Sequence, residues 1–221
     1  MDSIKINQVV VGMLEVNVYI LVCSSTGETV IIDPGDEAER IMDSVNEAGG
    51  KQVSWLLHTH AHGDHIGATR DLAEMTGAKI GIHESEADFL TDASLNLSKD
   101  FYIPVTAPEA DWKFKNKEVL KFGNQMIKIH HTPGHSPGCC CFLVNKNLFT
   151  GDTLFRGSIG RTDFSHSSPP AMQKSLEIIT AEFSPKTIIY PGHGPSSTMA
   201  EEFKTNPFLN FYSDASDLST F

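Results

Sequence analysis

No stretch of this sequence stays apolar for the roughly 20 residues that a membrane-spanning helix needs, so no membrane segment is expected. The early run Val9-Val10-Val11 is soon interrupted by Glu15 and Asn17, and no small-residue cleavage site follows a basic start. Positive charge is scarce as well: 17 Lys and Arg stand against 28 Asp and Glu, for a formal net charge of -11. Phosphate backbones are usually met by a basic face, so nucleic acid is not an expected partner. There are 4 cysteines and no C-x-x-C pair. Cys139-Cys140-Cys141 fall in a strand-like segment, where successive side chains alternate faces and cannot easily bridge. Reduced, packed thiols and a cytoplasmic location are expected. Hydrophobic content of 40% and charged content of 20% are ordinary for a globular protein, and the length suits one domain over residues 1–221.

What is present in excess is histidine in one place. His58-Thr59-His60-Ala61-His62-Gly63-Asp64-His65 follows the apolar run Val53–Leu57. Imidazole nitrogen and carboxylate oxygen are ligands for zinc and other first-row divalent ions. His60 and His62, two apart on extended backbone, point to one side. Gly63 is expected to let the chain turn sharply and carry Asp64 and His65 toward a second position. A pair of metal ions is the natural reading, with His58 outside the pattern, either supporting a ligand from behind or structural.

The periodicities place these residues. Ile4 to Val22 is strand-like, and Thr29–Ile32 is a β-branched run that stops at Asp33-Pro34-Gly35. Glu37 to Ala48 has a helical period, closed by Gly49-Gly50. A second helix is expected over Ile66–Met75, a strand over Lys79–His83, and an irregular loop, a lid or a surface excursion, over Thr91–Asp111. Later strands are expected at Met126–Ile129, Cys140–Val144, Leu148–Thr150 and Thr187–Tyr190, with a helix at Ala171–Thr180. Four apolar strands end in glycine-bearing turns that carry His60/His62, His135, Asp152 and His193, so the turns can share one rim. Asp33 adds a fifth, suited to orient a ligand histidine from behind. The similar turns at Asp33 and Asp152 hint at a duplication of the two halves.

His60, His62, Asp64 and His65 form an H-x-H-x-D-H pattern that, with His135, Asp152 and His193 in order, resembles the metallo-β-lactamase superfamily. The resemblance runs from Asp33 to His193. It implies an α+β fold, an αββα sandwich of two mixed β-sheets flanked by helices. It also implies one metal ion on His60, His62 and His135 and another on Asp64, His65 and His193, with Asp152 bridging. Zinc is the expected metal, with iron or manganese open. Two dications, two carboxylates and a hydroxide sum to about +1, which suits an anionic or carbonyl-bearing substrate and hydrolysis by water held between the ions.

Gly134-His135-Ser136-Pro137-Gly138, Thr150–Phe155 and Gly160-Arg161-Thr162-Asp163-Phe164 look like the glyoxalase II group. Pro191–Pro195 with Thr205-Asn206-Pro207-Phe208 is similar to its short bacterial members. The resemblance implies a hydroxyacylglutathione-hydrolase-like thioesterase acting on a small-molecule thioester of the S-lactoylglutathione type. Asp64 would orient the nucleophile and Asp152 would hold the ions. The 195–221 segment is expected to be a short tail in place of the group's glutathione-binding helical domain. Arg161 stands where the group has a basic glutathione contact, and a salt bridge with Asp163 is an equal reading of it. Persulfide dioxygenases share the Gly-Arg-Thr-Asp-Phe segment and use one iron, which would map to His60, His135 and Asp152. Pro191-Gly192-His193-Gly194 leans toward the hydrolase.

Overall fold

The computed structural model describes residues 3–100 and 103–209. The expected tail therefore lies outside the described residues from position 210 onward. Two six-stranded sheets pack face to face. The first contains β1 (Ile4–Val11), β2 (Val16–Cys23), β3 (Glu28–Ile32), β4 (Gln52–Leu57), β5 (Lys79–His83) and β6 (Trp112–Phe114), in that order. The second contains β7 (Val119–Phe122), β8 (Gln125–His131), β9 (Cys140–Val144), β10 (Asn147–Gly151), β13 (Ile188–Pro191) and β14 (Ser197–Thr198). A small ribbon joins β11 (Leu154–Phe155) to β12 (Ser158–Ile159).

Strand alternation sorts the core into three layers. Along β2, Tyr19, Leu21 and Cys23 face the second sheet, where they meet Phe142, Phe149, Ile127 and Ile129. Val18, Ile20 and Val22 face outward and pack under α1 (Ala38–Ala48) and α3 (Thr69–Thr76). The second sheet repeats the arrangement: Cys141, Leu148 and Ile189 point away from the first sheet to Leu176 and Ile179 of α4 (Pro169–Glu182). β2, β3, β9 and β10 are thus buried on both faces, which is why their sequences read as continuous apolar runs. The cysteine trio follows the same alternation, Cys140 between the sheets and Cys141 under α4, and all four thiols are free and buried. The expected αββα sandwich is present.

The halves echo each other. Each sheet has an antiparallel meander followed by a parallel crossover through a helix, β3–α1–β4 in one and β10–α4–β13 in the other. Some boundaries differ from the expectation. The helix expected from Ile66 is a single turn, α2 (Gly63–Ile66), then α3, because Gly67 packs against the Gly35 backbone and the chain redirects there. α4 starts earlier, at Pro169, capped by Ser168 accepting from Ala171 N, with proline tolerated in the first turn. The edge strands β6 and β7, the β11/β12 ribbon, the short β14 and α5 (Met199–Thr205) lie outside the expected elements; they are two to seven residues long, too short to show a period. The Thr91–Asp111 segment holds one 3-10 turn, Ser98–Asp100, with 101 and 102 outside the described residues. It is pinned at buried Asn96, whose Nδ2 donates to Phe89 O and Val105 O and whose carbonyl accepts from Gly63 N.

Candidate metal centre

β3 and β4 run parallel, and β8 points the same way as β10 and β13 within the other sheet, so the carboxyl ends of all five lie along one rim. The turns that leave those ends carry Asp33, His60/His62, His135, Asp152 and His193. The two sheets are stitched there by backbone: Cys140 N donates to Thr59 O at 2.8 Å and Asn17 N to Gly192 O at 2.8 Å. Gly151 is left-handed at φ 47 and packs on Thr59, where a side chain would collide. The chain turns at Gly63 as expected, with Gly63 outside the left-handed region. The chain turns by the α2 helical turn itself, whose first N–H is held by Asn96 O.

All seven expected residues converge. Their ligand atoms fall into three overlapping groups, His60/His62/His135, His60/His65/Asp152 and Asp64/His65/His193, each within 4.8 Å of its own members. In the first group His62 Nδ1 lies 3.1 Å from His60 Nε2 and 2.9 Å from His135 Nε2. In the third, His65 Nε2 lies 3.3 Å from His193 Nε2, and Asp64 Oδ2 is 3.4 Å from His193 Nε2. Asp152 sits between them, Oδ2 at 3.5 Å from His135 and 3.6 Å from His193, Oδ1 at 3.5 Å from His65.

The opposite ring nitrogens fix which lone pairs face inward. His135 Nδ1 donates to Arg161 O at 2.8 Å and His193 Nδ1 to Leu14 O at 2.9 Å, since a carbonyl can only accept. Each neutral ring therefore presents a bare Nε2 to the centre. Thr59 Oγ1 donates to Asp33 Oδ2 at 2.6 Å, which leaves it to accept from His60 Nδ1 at 3.2 Å. Asp33 Oδ2 also lies 3.2 Å from His65 Nδ1, and Oδ1 accepts from Thr59 N at 2.7 Å. His62 Nδ1 has at most one hydrogen to offer the two bare Nε2 atoms of His60 and His135, and the buried Asp152 Oδ1 has no hydrogen-bond partner. A cation satisfies every one of these atoms, so the donor set fits divalent metal.

The electrostatics agree. Burial, then the neighbouring histidines, push His60 and His62 far below the ordinary imidazole range. His65 moves the other way: burial opposes its charge, but Asp64, Asp152 and Asp33 raise it to about 10. Asp64 is held well below the usual carboxylate range against its burial by His65 and His193. Without metal, the carboxylates keep a proton on His65 as the local cation. His58, as expected, stands apart: it is fully buried, with Nε2 3.4 Å from Thr69 Oγ1, and burial lowers it to about 4.

The sequence profile of the metallo-beta-lactamase superfamily matches residues 11–193, a span that contains the whole cluster. This chain belongs to the metallo-beta-lactamase superfamily. Members of that superfamily bind divalent metals, often two, and many are metal-dependent hydrolases. Hydroxyacylglutathione hydrolase GloC of Haemophilus influenzae is 35% identical over 194 residues, 86% of this chain and 91% of its own. The solved structure of BLEG-1, a B3 metallo-beta-lactamase, is 34% identical with a TM-score of 0.87, covering 93% of this chain and 99% of that one. TTHA1623, solved in a di-iron-bound form, is 32% identical with a TM-score of 0.80, covering 92% and 100%.

A cavity of about 600 Å³ opens above the superfamily site, walled by Leu14, Leu97, Phe155, Ile159 and Phe164. Arg161 is on its rim, but its guanidinium makes a two-point pair with Asp163 at 2.6 and 2.8 Å and lies 4.5 Å over the Phe164 ring. Four residues at the site went unnoticed in the sequence. Asn17 Nδ2 donates to Pro191 O and Gly194 O, and Tyr19 Oη donates to Pro191 O at 2.7 Å, which fixes the turn that carries His193. His166 Nε2 lies 2.9 Å from His62 Nε2, and buried Glu86 lies beneath the histidine loop. An asparagine inside the apolar run of β2 was a readable signal for the first; His166 and Glu86 left none.

Proposed function

We propose that this chain is a dinuclear metal-dependent thioesterase of the glyoxalase II kind, built as a single domain over residues 1–221 and acting in the cytoplasm on a small-molecule thioester. The observation that carries the reading is Asp152, a buried carboxylate set between the His60/His62/His135 trio and the Asp64/His65/His193 trio, with one oxygen accepting no hydrogen bond. On this reading the two trios each hold one ion and Asp152 bridges them. Zinc is favoured by the nitrogen-rich donor set, and iron or manganese also fits, as the di-iron relative illustrates. Two such ions acidify water and polarise a carbonyl.

The chain's own residues supply the rest. Asp64, mostly buried but lining the cavity, orients the attacking water through its second oxygen. The thiolate that leaves is a weak base, with a reference pKa near about 8.5, so no protein acid is required. The apolar walls hold the arms of the thioester away from bulk solvent. The hydroxyacylglutathione hydrolase relative supports the thioester class, and the four free buried thiols support a reducing compartment. Arg161 is the proposed contact for a carboxylate of the thiol arm. It can exchange Asp163 for that carboxylate because the pair is exposed at the rim.

The deciding experiment is a substrate panel on protein of defined metal content: S-lactoylglutathione, other acyl thioesters, a chromogenic β-lactam, and glutathione persulfide with oxygen uptake. Thioester cleavage that Asp152→Ala abolishes supports the reading. About one iron per chain with oxygen consumption on the persulfide would assign the dioxygenase alternative instead. Full activity in Asp152→Ala with fewer bound ions would refute the bridging role.

A further inference from the structure

Glu86 is wholly buried, yet neither of its carboxylate oxygens is idle. Oε2 accepts from Ala61 N at 2.7 Å and Oε1 accepts from Gly138 N at 2.7 Å. Ala61 is the residue between His60 and His62. Gly138 closes the turn that begins at His135, and Ser136 in the same turn also bonds the carboxylate. The residue comes from the 3-10 helix Glu84–Leu90 after β5, an element that contributes no donor to the centre. A β-carbon on Gly138 would come within 2.8 Å of Glu86 Cγ, so the glycine is what lets the turn sit on the carboxylate.

We propose that Glu86 is a positioning residue that ties the His60/His62 loop of the first sheet to the His135 turn of the second, and so sets the spacing of one ion's three ligands. The role rests on the metal assignment proposed above and divides the work with Asp33. Asp33 reaches His65 and, through Thr59, His60. Glu86 reaches no imidazole; it grips the backbone on both sides of the His60/His62/His135 trio. Only a carboxylate, or a group with two acceptors at that separation, can take an N–H from each loop at once. A glutamine of the same size offers one acceptor and one donor, so one of the two loops would face an N–H with an NH₂ and be released.

The test is stepwise zinc binding to the full chain, by competition with a chromophoric chelator, with imidazole ¹⁵N NMR assigning each step. Shifts of His60, His62 and His135 report one ion, and those of His65 and His193 the other. Glu86→Gln is expected to weaken the His60/His62/His135 step by about 10- to 100-fold while changing the other step far less. Should Glu86→Gln not fold, Gly138→Ala decides, because it leaves the carboxylate and pushes the turn off it; the same step should weaken. Glu84→Gln, an exposed neighbour on the same helix, should alter neither. Equal weakening of both steps, or a lower Tm with both steps intact, overturns the proposal and leaves Glu86 a fold-stabilising group only. A wild-type protein that takes up no ion on His60, His62 and His135 would refute the metal assignment itself, a result distinct from either.

Discussion

Asp33→Asn is the sharpest probe of the centre, because it removes one charge and almost no volume from a residue that touches no expected ion position. The backbone is not the issue: Asp33 is left-handed at φ 53, a conformation that asparagine adopts as readily as aspartate. Proton direction is the issue. Asp33 Oδ2 now accepts from Thr59 Oγ1 at 2.6 Å and faces His65 Nδ1 at 3.2 Å. An asparagine can keep the Thr59 N–H on its oxygen, but its NH₂ then points at both partners. Thr59 must accept from it and donate onward to His60 Nδ1, which shifts the His60 proton to Nε2, toward the centre. His65 loses its acceptor and is driven to the same wrong tautomer.

Changes of this kind behind a ligand histidine cost about 10- to 100-fold in metal affinity, or roughly 1.4–2.8 kcal/mol. The metal-free protein loses at least one bond to a charged group, about 1.5–3 kcal/mol. For a chain of this size that is a Tm lower by roughly 3–12 °C. The assays are chelator competition and thermal melts with and without metal. The tautomers can be read directly from imidazole ¹⁵N shifts. Wild-type affinity in Asp33→Asn, with His60 and His65 still protonated at Nδ1, would refute the hydrogen-bond argument.

Three further outcomes are expected. Stripping metal with a chelator should lower Tm by roughly 5–11 °C for each ion held at a hundredfold above its Kd, and re-addition should restore it; an unchanged melt would show that no ion is bound to the native state. In the metal-free protein His65 is raised to about 10, so its contribution to stability is full below about pH 6.5 and is lost as pH rises toward 10. Metal must expel that proton, so apparent metal affinity should climb with pH over the same window, measurable by titration at fixed ionic strength; a flat profile would contradict it. Arg161→Ala should raise KM for glutathione thioesters about tenfold with kcat unchanged, and leave thioesters without a carboxylate on the thiol arm untouched; equal effects on both would remove Arg161 from substrate binding.

The chemistry of the centre was legible because metal ligands must be particular residue types placed where strands stop. β3, β4, β10 and β13 announce themselves as short runs with an apolar core; β3, β10 and β13 end at or next to a glycine or proline beside a donor, and β4 runs straight into the histidine loop. Asp33 was readable for the same reason. Short elements were not: β6, β11, β12 and β14 hold two or three residues each, and their pairing is decided by neighbours distant in sequence.

The supporting shell was hidden for a deeper reason. Asn17, Glu86 and His166 act on the centre from 25 to 177 positions away along the chain, and each does so through a backbone amide, a carbonyl or a ring nitrogen whose location only the folded sheets define. A buried glutamate in a run of exposed acids looks like its neighbours until the partner N–H groups are known. Yet the cost of burying an unpaired charge makes such a residue intolerable unless those partners are in place. The geometry of the seven donors therefore depends on residues chosen by a different constraint than ligation. Asn17 and Glu86 are buried polar side chains satisfied only when both sheets are in place, and meeting that demand holds the two halves of the donor set at a fixed distance.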